Sequence, residues 1–202
     1  MFRSNTVYEE IGNLCTIKAR IGWQGLTRKE YLEEGHYKLI TGVDFNKNKI
    51  DFNKCYYVTK ERYEQDENIK IKIGDVLVTK DGTIGKVALI DKLDNPATLN
   101  SGIFVVRDKF NKLSAKFLVS ALLTSDFENF INSLKTGSTI AHLNQAAFLK
   151  YKIPVPPIEQ QTKFEIVSNQ IDKQKMQLEK LINNYKKLRK ALMQKLLTGK
   201  VR

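Results

Sequence analysis

The feature that most constrains this chain is a run of apolar residues near its C-terminus, spaced alternately by three and four positions. We call this run the seam; its members are Phe164, Val167, Ile171, Gln174, Leu178, Leu181, Tyr185, Leu188 and Leu192. The spacing is that of the a and d positions of a coiled coil, and a helix with such a seam does not stay single in water. It predicts a long C-terminal coiled-coil helix, about 60 Å in length if it extends over residues 158–197.

Three closely spaced prolines mark where this helix should begin. Pro154, Pro156 and Pro157 favour extended backbone and lack amide donors, so they separate the helix from what precedes it. Ile158 and Glu159 then have the character of a first helical turn, and Gly199 that of a residue that ends a helix. The sequence therefore predicts two domains, residues 1–153 and residues 154–202.

The polarity of the seam indicates what kind of partner it needs. Gln174 is its one clearly polar member, and a buried polar residue can fix register and the number of helices. The flanking e and g positions hold no acidic residue that could pair with bases, so charge does not select a parallel homodimer. We expect an antiparallel helix pair; the alternative is a helix folded back on its own domain.

Composition restricts the class of protein. Lys and Arg number 34 against 22 Asp and Glu, giving a net charge of +12. Such a charge attracts nucleic acid, although it also serves solubility. No apolar run is long enough to span a membrane and no secretory signal is visible, so we expect a cytoplasmic protein that does not bind membranes. Cys15 and Cys55 are expected to be buried, reduced thiols.

The first 153 residues predict an α+β domain that is rich in strands. Runs of β-branched and aromatic residues favour strands at 37–41, 49–52, 55–58 and 103–107. Two further runs within residues 74–90 flank Asp81 and Gly82, a pair suited to a hairpin turn. Short helices are predicted after Ser114 and Asn144, which have the character of caps, and at 8–14.

Motifs for catalysis are missing. Residues 82–86 superficially suggest a phosphate loop, but the spacing is too short and Val87 stands where Ser or Thr should bind magnesium. No metal-ligand spacing surrounds the two histidines. Asp75, Asp81 and Asp91 lie near lysines, as nuclease carboxylates do, which leaves a nuclease as a minor alternative. We expect a chain that is not an enzyme by itself and binds no metal.

Several segments resemble the specificity (S) subunits of type I restriction–modification systems. The helical part resembles them in the segment that leads into it, Ile-Pro-Val-Pro-Pro-Ile-Glu-Gln-Gln (153–161), in its heptads, and in its end, Leu-Met-Gln-Lys-Leu-Leu-Thr-Gly-Lys (192–200). Residues 74–85, 99–107 and 135–140 are similar to parts of the target recognition domain of that family. The resemblance covers nearly the whole chain.

This resemblance implies a function. In that family two recognition domains are held apart by two antiparallel conserved helices, and each domain binds half of a split site in double-stranded DNA. The subunit as a whole recruits adenine-N6 methyltransferase subunits and, in complete systems, endonuclease subunits. The present sequence has one such domain and one such helix, so we expect a homodimer that recognises an interrupted palindrome. The resemblance also implies that S-adenosylmethionine, ATP and Mg²⁺ bind to partner subunits and that no cofactor binds to this chain.

The DNA-binding residues are predicted from composition, because recognition loops differ among members of a family. Side chains with donors or acceptors on three polar loops are the candidates: Arg20, Trp23, Gln24, Arg28 and Lys29; Lys80, Asp81 and Thr83; Lys135, Thr136, Ser138 and Thr139. The competing hypothesis is a dimeric coiled-coil DNA-binding regulator or scaffold without a methyltransferase partner.

Overall fold

The chain divides into two compact units. The computed structural model describes residues 7–135 and 142–199, apart from the side chains of Trp23 and Lys135. The first unit is Met1–Gln161 and the second is Thr162–Arg202. The assignment of residues 1–153 and 154–202 to different functions stays a prediction.

The first unit is built mainly from short strands. In chain order the strands of the described residues are β1 Tyr8–Glu10, β2 Cys15–Lys18, β3 Tyr37–Ile40, β4 Phe45–Asn46, β5 Lys49–Ile50, β6 Tyr56–Val58, β7 Val76–Thr79, β8 Val87–Leu89, β9 Ala97–Leu99, β10 Ile103–Asp108 and β11 Lys152–Pro154. Strands β2, β10, β7 and β8 form an antiparallel sheet in that order, and β6, β3 and β9 form a second sheet in which β3 and β9 are parallel. Pairs β1–β11 and β4–β5 are separate two-stranded ladders.

Strand β10 lies in the centre of the first unit and is buried on both faces. Its residues Ile103 and Val105 belong to a core cluster of buried apolar side chains. This cluster also contains Leu77 of β7 and Leu99 of β9, so it joins the two larger sheets. On the other face Phe104 lies 5.9 Å, centroid to centroid, from the ring of Phe148. Because both faces are covered, the strand is apolar along its first four residues instead of alternating.

Six α-helices are present among the described residues, and side-chain caps predicted from the sequence mark where two of them begin. They are α1 Ile11–Leu14, α2 Lys60–Glu64, α3 Ala115–Ala121, α4 Ser125–Lys135, α5 Gln145–Leu149 and α6 Ile158–Leu197. The Ser114 hydroxyl accepts from the Phe117 amide at 3.1 Å, and Asn144 Oδ1 accepts from the Ala147 amide at 2.8 Å. Both predicted caps are confirmed, since a side-chain oxygen at this position satisfies an otherwise unpaired N–H.

Helix α6 has the bounds that the proline and glycine signals predict. It runs from Ile158 to Leu197 with Glu159 in its first turn, and Gly199 follows with a φ of +66°. The predicted α+β fold, a β-rich domain followed by a long C-terminal helix, is confirmed. Its coiled-coil pairing stays a prediction. Within the described parts of the chain, no helix is both long and apolar enough to cross a bilayer.

Two local predictions differ from the structure. Only 11–14 of the predicted helix at 8–14 is helical, because Tyr8–Glu10 forms a strand whose partner, β11, is far away in sequence. Likewise Asp81 and Gly82 do not form a two-residue hairpin turn, since β7 and β8 are joined by a longer loop, residues 80–86. The buried Thr79 holds the base of this loop: its hydroxyl donates to the Thr83 carbonyl and accepts from the Lys86 amide at 3.0 Å.

The buried carboxylate of Asp75 is paired with an arginine, and the two buried cysteines are free thiols. Asp75 is 3% exposed, and its carboxylate accepts two hydrogen bonds of 2.7 Å from the Arg107 guanidinium, which also donates to the carbonyls of Asn68 and Lys70. Both cysteines are buried and free, as predicted. Burial raises the pKa of the Cys15 thiol to about 12, so it is protonated at neutral pH.

Candidate nucleic-acid interface

Two segments that are distant in sequence meet at the turn that follows β9, residues 100–102, which we call the Asn100 turn. Asn100 Oδ1 accepts from the Gly102 amide at 3.0 Å, and Asn100 Nδ2 donates to the Tyr31 hydroxyl. The carbonyl of Gly102 in turn accepts from the Lys80 amide at 2.8 Å. The turn therefore joins the first polar loop to the loop between β7 and β8.

On one side of the Asn100 turn, an arginine is held by two tyrosines. The Arg28 guanidinium lies 5.4 Å from the Tyr31 ring centroid and 5.0 Å from that of Tyr56, and its Nη2 donates to the Tyr56 hydroxyl at 3.1 Å. Arg28 is nevertheless exposed. A planar guanidinium that is already stacked loses less side-chain entropy when it binds a guanine edge or a phosphate.

On the other side of the turn lie the predicted loop residues Lys80 and Asp81. Lys80 Nζ lies 5.4 Å from the centroid of the Phe104 ring, and the Lys80 carbonyl accepts from the Leu143 amide at 2.9 Å. Asp81 Oδ1 contacts Nδ1 of His142. Thus the segment just before α5 also joins this surface.

We call the resulting surface the joined face. It consists of exposed and half-buried polar side chains from five parts of the first unit. Its members are Arg28, Tyr31, Tyr56, Lys80, Asp81, Thr83, Asn100 and His142. Lys29 is exposed in the same 3-10 helix as Arg28, Arg28–Glu30, and adds another cation. Cations interleaved with aromatic rings and amide groups are the side chains that bind phosphates and base edges.

Two of the predicted DNA-binding side chains lie inside the domain instead. Arg20 is 2% exposed, and its guanidinium donates to the Leu99 carbonyl at 2.8 Å and to the Thr98 hydroxyl at 3.1 Å. Burial lowers the pKa of Arg20 below its usual value. Gln24 is 6% exposed, and its Oε1 has no hydrogen-bond partner among the described residues. Arg20 thus supports β9, the strand that leads into the Asn100 turn, and this placement does not favour a direct contact with DNA.

The 3-10 helix that carries Arg28 is fixed at both ends. Glu30 accepts from the Thr27 amide at 2.8 Å and from its hydroxyl at 2.9 Å, and Arg62 of α2 donates to the other Glu30 oxygen at 2.6 Å. The hydrogen bond from the Thr27 backbone, followed by that from Arg62, holds the pKa of Glu30 at about 2. The carboxylate is therefore ionised at neutral pH and keeps the Arg28 backbone in place.

The remaining predicted residues are placed as follows. Trp23 has its backbone in the 3-10 helix Gly22–Gln24, and Lys135 is the last residue of α4. The prediction for Thr136, Ser138 and Thr139 lies outside the described residues. Together with Arg28, Lys29, Lys80, Asp81 and Thr83, these positions stay predictions of DNA contact.

Four members of the joined face were not predicted from the sequence: Tyr31, Tyr56, Asn100 and His142. Tyr31 could have been found, because it follows the predicted Arg28 by three residues, and one short turn of the chain brings the two side chains together. Asn100, followed by Ser and Gly, has the composition of a turn. No local signal brings Tyr56 or His142 to this surface.

The three aspartates of the nuclease alternative do not share a site. Asp75 pairs with Arg107, Asp81 contacts His142, and Asp91 pairs with Lys49. Among residues 7–135 and 142–199, no three His, Cys, Asp or Glu side chains converge as metal ligands do.

Comparison with known protein families gives a match over most of the chain. Residues 4–185 match the family described as type I restriction modification DNA specificity domain. The type I restriction enzyme MjaVIII specificity subunit of Methanocaldococcus jannaschii is 26% identical over 201 residues, which cover 89% of this chain and 46% of that protein. The EcoKI specificity subunit of Escherichia coli is 25% identical over 195 residues, covering 88% and 40%.

Solved structures agree in fold. The HsdS subunit from Thermoanaerobacter tengcongensis superposes with a TM-score of 0.61 at 18% identity, over 86% of this chain and 39% of that one. The S subunit of a type I restriction–modification system from M. genitalium superposes with a TM-score of 0.56 at 17% identity, over 88% and 43%. The chain thus spans less than half the length of these relatives. The resemblance predicted from the sequence is confirmed.

Proposed function

The chain belongs to the family of type I restriction–modification DNA specificity domains, and from this premise we propose that it binds one half of a split site in double-stranded DNA. The family is one of specificity subunits, which recognise DNA and are not catalytic. The expectation that this chain is not itself an enzyme is therefore confirmed at the level of the family. Its site, partners and assembly form the rest of the proposal.

The observation that carries the proposal is the convergence of two polar segments, those of Tyr31 and Lys80, on the Asn100 turn. Base recognition requires donors and acceptors held rigidly enough that the correct base pair is distinguished from the others. Arg28 lies against two adjacent tyrosine rings, and Lys80 and Asp81 are held by the backbone contact of Lys80 with Gly102. We assign DNA contact to the joined face and to the neighbouring Lys29.

The seam supports the second part of the proposal, a homodimer. From Val167 to Leu192 its apolar members are each between 49% and 63% exposed in the single chain, and Gln174 is also exposed. This apolar stripe runs along a helix of 40 residues, and a stripe of that length is stabilised by burial against another helix. A second copy of the chain, antiparallel to the first, supplies that helix and places two identical DNA-binding domains on one duplex.

The complete complex then contains subunits other than this one. We propose that the dimer recruits adenine-N6 methyltransferase subunits and, in a complete system, endonuclease subunits in the cytoplasm. S-adenosylmethionine, ATP and Mg²⁺ would bind to those subunits and none to this chain. The protein would contribute sequence recognition and the fixed separation of the two half-sites.

Co-expression with the cognate methyltransferase, followed by mapping of methyladenine across the host DNA, tests this proposal. The expected result is methylation at a two-part, self-complementary motif that disappears when this chain is omitted. A two-part motif with different halves would contradict the homodimer and leave DNA recognition intact. Methylation that does not depend on the chain would refute the proposal and favour a regulator or scaffold without a methyltransferase.

A further inference from the structure

The contact between His142 and Asp81 joins residues that are 61 positions apart in sequence. Its place is fixed by the neighbouring backbone. Leu143, which follows His142, is fully buried, and its amide donates to the carbonyl of Lys80 at 2.9 Å. Because Lys80 precedes Asp81, this hydrogen bond holds the two segments next to each other. Asn144 then caps α5. The pair is therefore part of the fixed framework of the domain.

Asp81 is also held from its other side. A Cβ atom built on Gly102 would lie 3.4 Å from the Cβ of Asp81, so the Gly102 backbone and the Asp81 side chain are close neighbours. The Gly102 carbonyl accepts from the Lys80 amide at 2.8 Å. The backbone next to Asp81 is thus held by the Asn100 turn, the same element whose Asn100 side chain contacts the Tyr31 hydroxyl.

One ring nitrogen of His142 remains available. The pair is about half exposed, with 46% of the His142 side chain and 47% of the Asp81 side chain accessible. Nδ1 faces the carboxylate, while Nε2 has no hydrogen-bond partner among the residues that the structure describes. An exposed carboxylate alone on a DNA-binding surface would repel phosphates. Paired with a histidine, it instead orients the ring, as carboxylates do for catalytic and metal-binding histidines.

We propose that His142, oriented by Asp81, donates a hydrogen bond through Nε2 to an acceptor on the DNA in each half-site. This inference rests on the proposed function and adds to it a residue that determines specificity. The proposed contact uses the doubly protonated ring, in which Nδ1 donates to the Asp81 carboxylate and Nε2 donates to the DNA. The acceptors of this chemistry on DNA are the O6 and N7 atoms of guanine and the phosphate oxygens.

The test uses the full chain in complex with its methyltransferase and a set of duplexes in which each base pair of the mapped site is changed singly. His142→Ala is expected to weaken binding of the cognate duplex about 10-fold, since a good hydrogen bond to a base or phosphate contributes a factor of this order to the affinity. Loss of discrimination at one base pair in each half-site identifies a guanine edge. A uniform loss across all duplexes, with a smaller dependence on salt, identifies a phosphate.

Further variants separate this contact from a structural role. Asp81→Asn should weaken binding less than His142→Ala, and the double variant should be no weaker than His142→Ala alone, because both changes remove one oriented donor. His142→Gln keeps a donor and should recover part of the affinity. His36→Ala, a change at the other histidine, which is exposed and contacts the Tyr37 ring, is the matched control and should leave binding unchanged.

The outcomes are distinguishable from those of the proposed function. If the wild-type complex discriminates among the duplexes and the His142→Ala complex binds each duplex as tightly as the wild type does, the inference is overturned and the proposed function stands. If His142→Ala and His142→Gln are both folded by thermal unfolding and equally weakened, the position matters but the donor does not, which also overturns it. A wild-type complex without sequence preference overturns both.

Discussion

The two units of this chain bury their apolar residues in different ways. In the first unit the apolar residues of β10, Ile103 to Val106, are at most 2% exposed because sheet and helices cover both faces. From Thr162 to Gly199, every side chain is exposed or half-buried. Burial of apolar area is the main favourable contribution to folding. The first unit obtains it from its own residues, whereas the apolar stripe of the second unit is exposed in the single chain and is buried only in the proposed dimer.

Charges placed in the seam should have the largest effect, because they prevent the apolar stripe of the second unit from being buried in the proposed dimer. Leu178→Asp together with Leu188→Asp should convert the dimer to monomers, because four leucines per dimer each lose about 2 kcal/mol of burial and are replaced by a charge. We expect the dimer dissociation constant, measured by sedimentation, to rise at least ~1,000-fold. The first unit should unfold as before, since it does not depend on these residues.

Asn183→Asp together with Gln194→Asp is the matched control for that prediction. It adds the same two charges to the same helix, but at f and c positions away from the seam. It should remain dimeric. A dimer that persists in the Leu178 and Leu188 variant would exclude the antiparallel helix pair.

The next largest effect is expected inside the first unit, at the buried ion pair of Arg107 with Asp75. Arg107→Ala leaves a carboxylate that is 3% exposed without its cation, and removing one partner of a buried pair typically costs about 3–5 kcal/mol. Lys49→Ala at the exposed pair with Asp91 should cost less than ~1 kcal/mol. Urea denaturation measures both. Equal effects would show that the pair of Arg107 with Asp75 stabilises the first unit no more than an exposed pair does.

A smaller effect is expected at Gln161, the last residue of the first unit. It is fully buried; its Nε2 donates to the carbonyls of Lys112 at 2.7 Å and Pro156 at 2.9 Å, and its Oε1 accepts from the Ser114 amide at 3.0 Å. Gln161→Ala should destabilise the first unit by about 1–3 kcal/mol, because these buried groups lose their partner. The exposed neighbour Gln160→Ala is the control. If the two variants have the same urea midpoint, the side chain does not stabilise the first turn of α6.

These contrasts also explain what could be predicted from the sequence. The bounds of α6 and the caps at Ser114 and Asn144 follow from signals within a few residues, because helical hydrogen bonds join residues four apart. The parallel pairing of β3 with β9 joins segments about sixty residues apart, and no local signal specifies it. The same holds for the meeting of Tyr31 with Asn100.

The placement of Arg20 shows why candidate site residues are harder to predict than helices. It begins a polar, glycine-containing stretch, which by composition favours an exposed loop. Whether such a side chain is exposed depends on the carbonyls and hydroxyls that the rest of the fold places beside it. Here those are the Leu99 carbonyl and the Thr98 hydroxyl, which come from a strand 78 and 79 residues further along the chain. Composition predicted Arg28 as an exposed cation for the same reason that it misplaced Arg20.

The smallest effect concerns Lys80, a member of the joined face, and Lys135, the last residue of α4. Changing both to Ala should weaken binding to all DNA sequences alike and lower the slope of log K against log salt by about one unit for each phosphate that is no longer neutralised. Lys92→Ala together with Lys152→Ala, at two exposed lysines elsewhere in the first unit, is the control and should change the slope less. For Lys80 the alternative role is visible in the structure, since its ammonium lies over the Phe104 ring. An unchanged slope would therefore assign Lys80 to packing and leave recognition to Arg28, Asp81 and their neighbours.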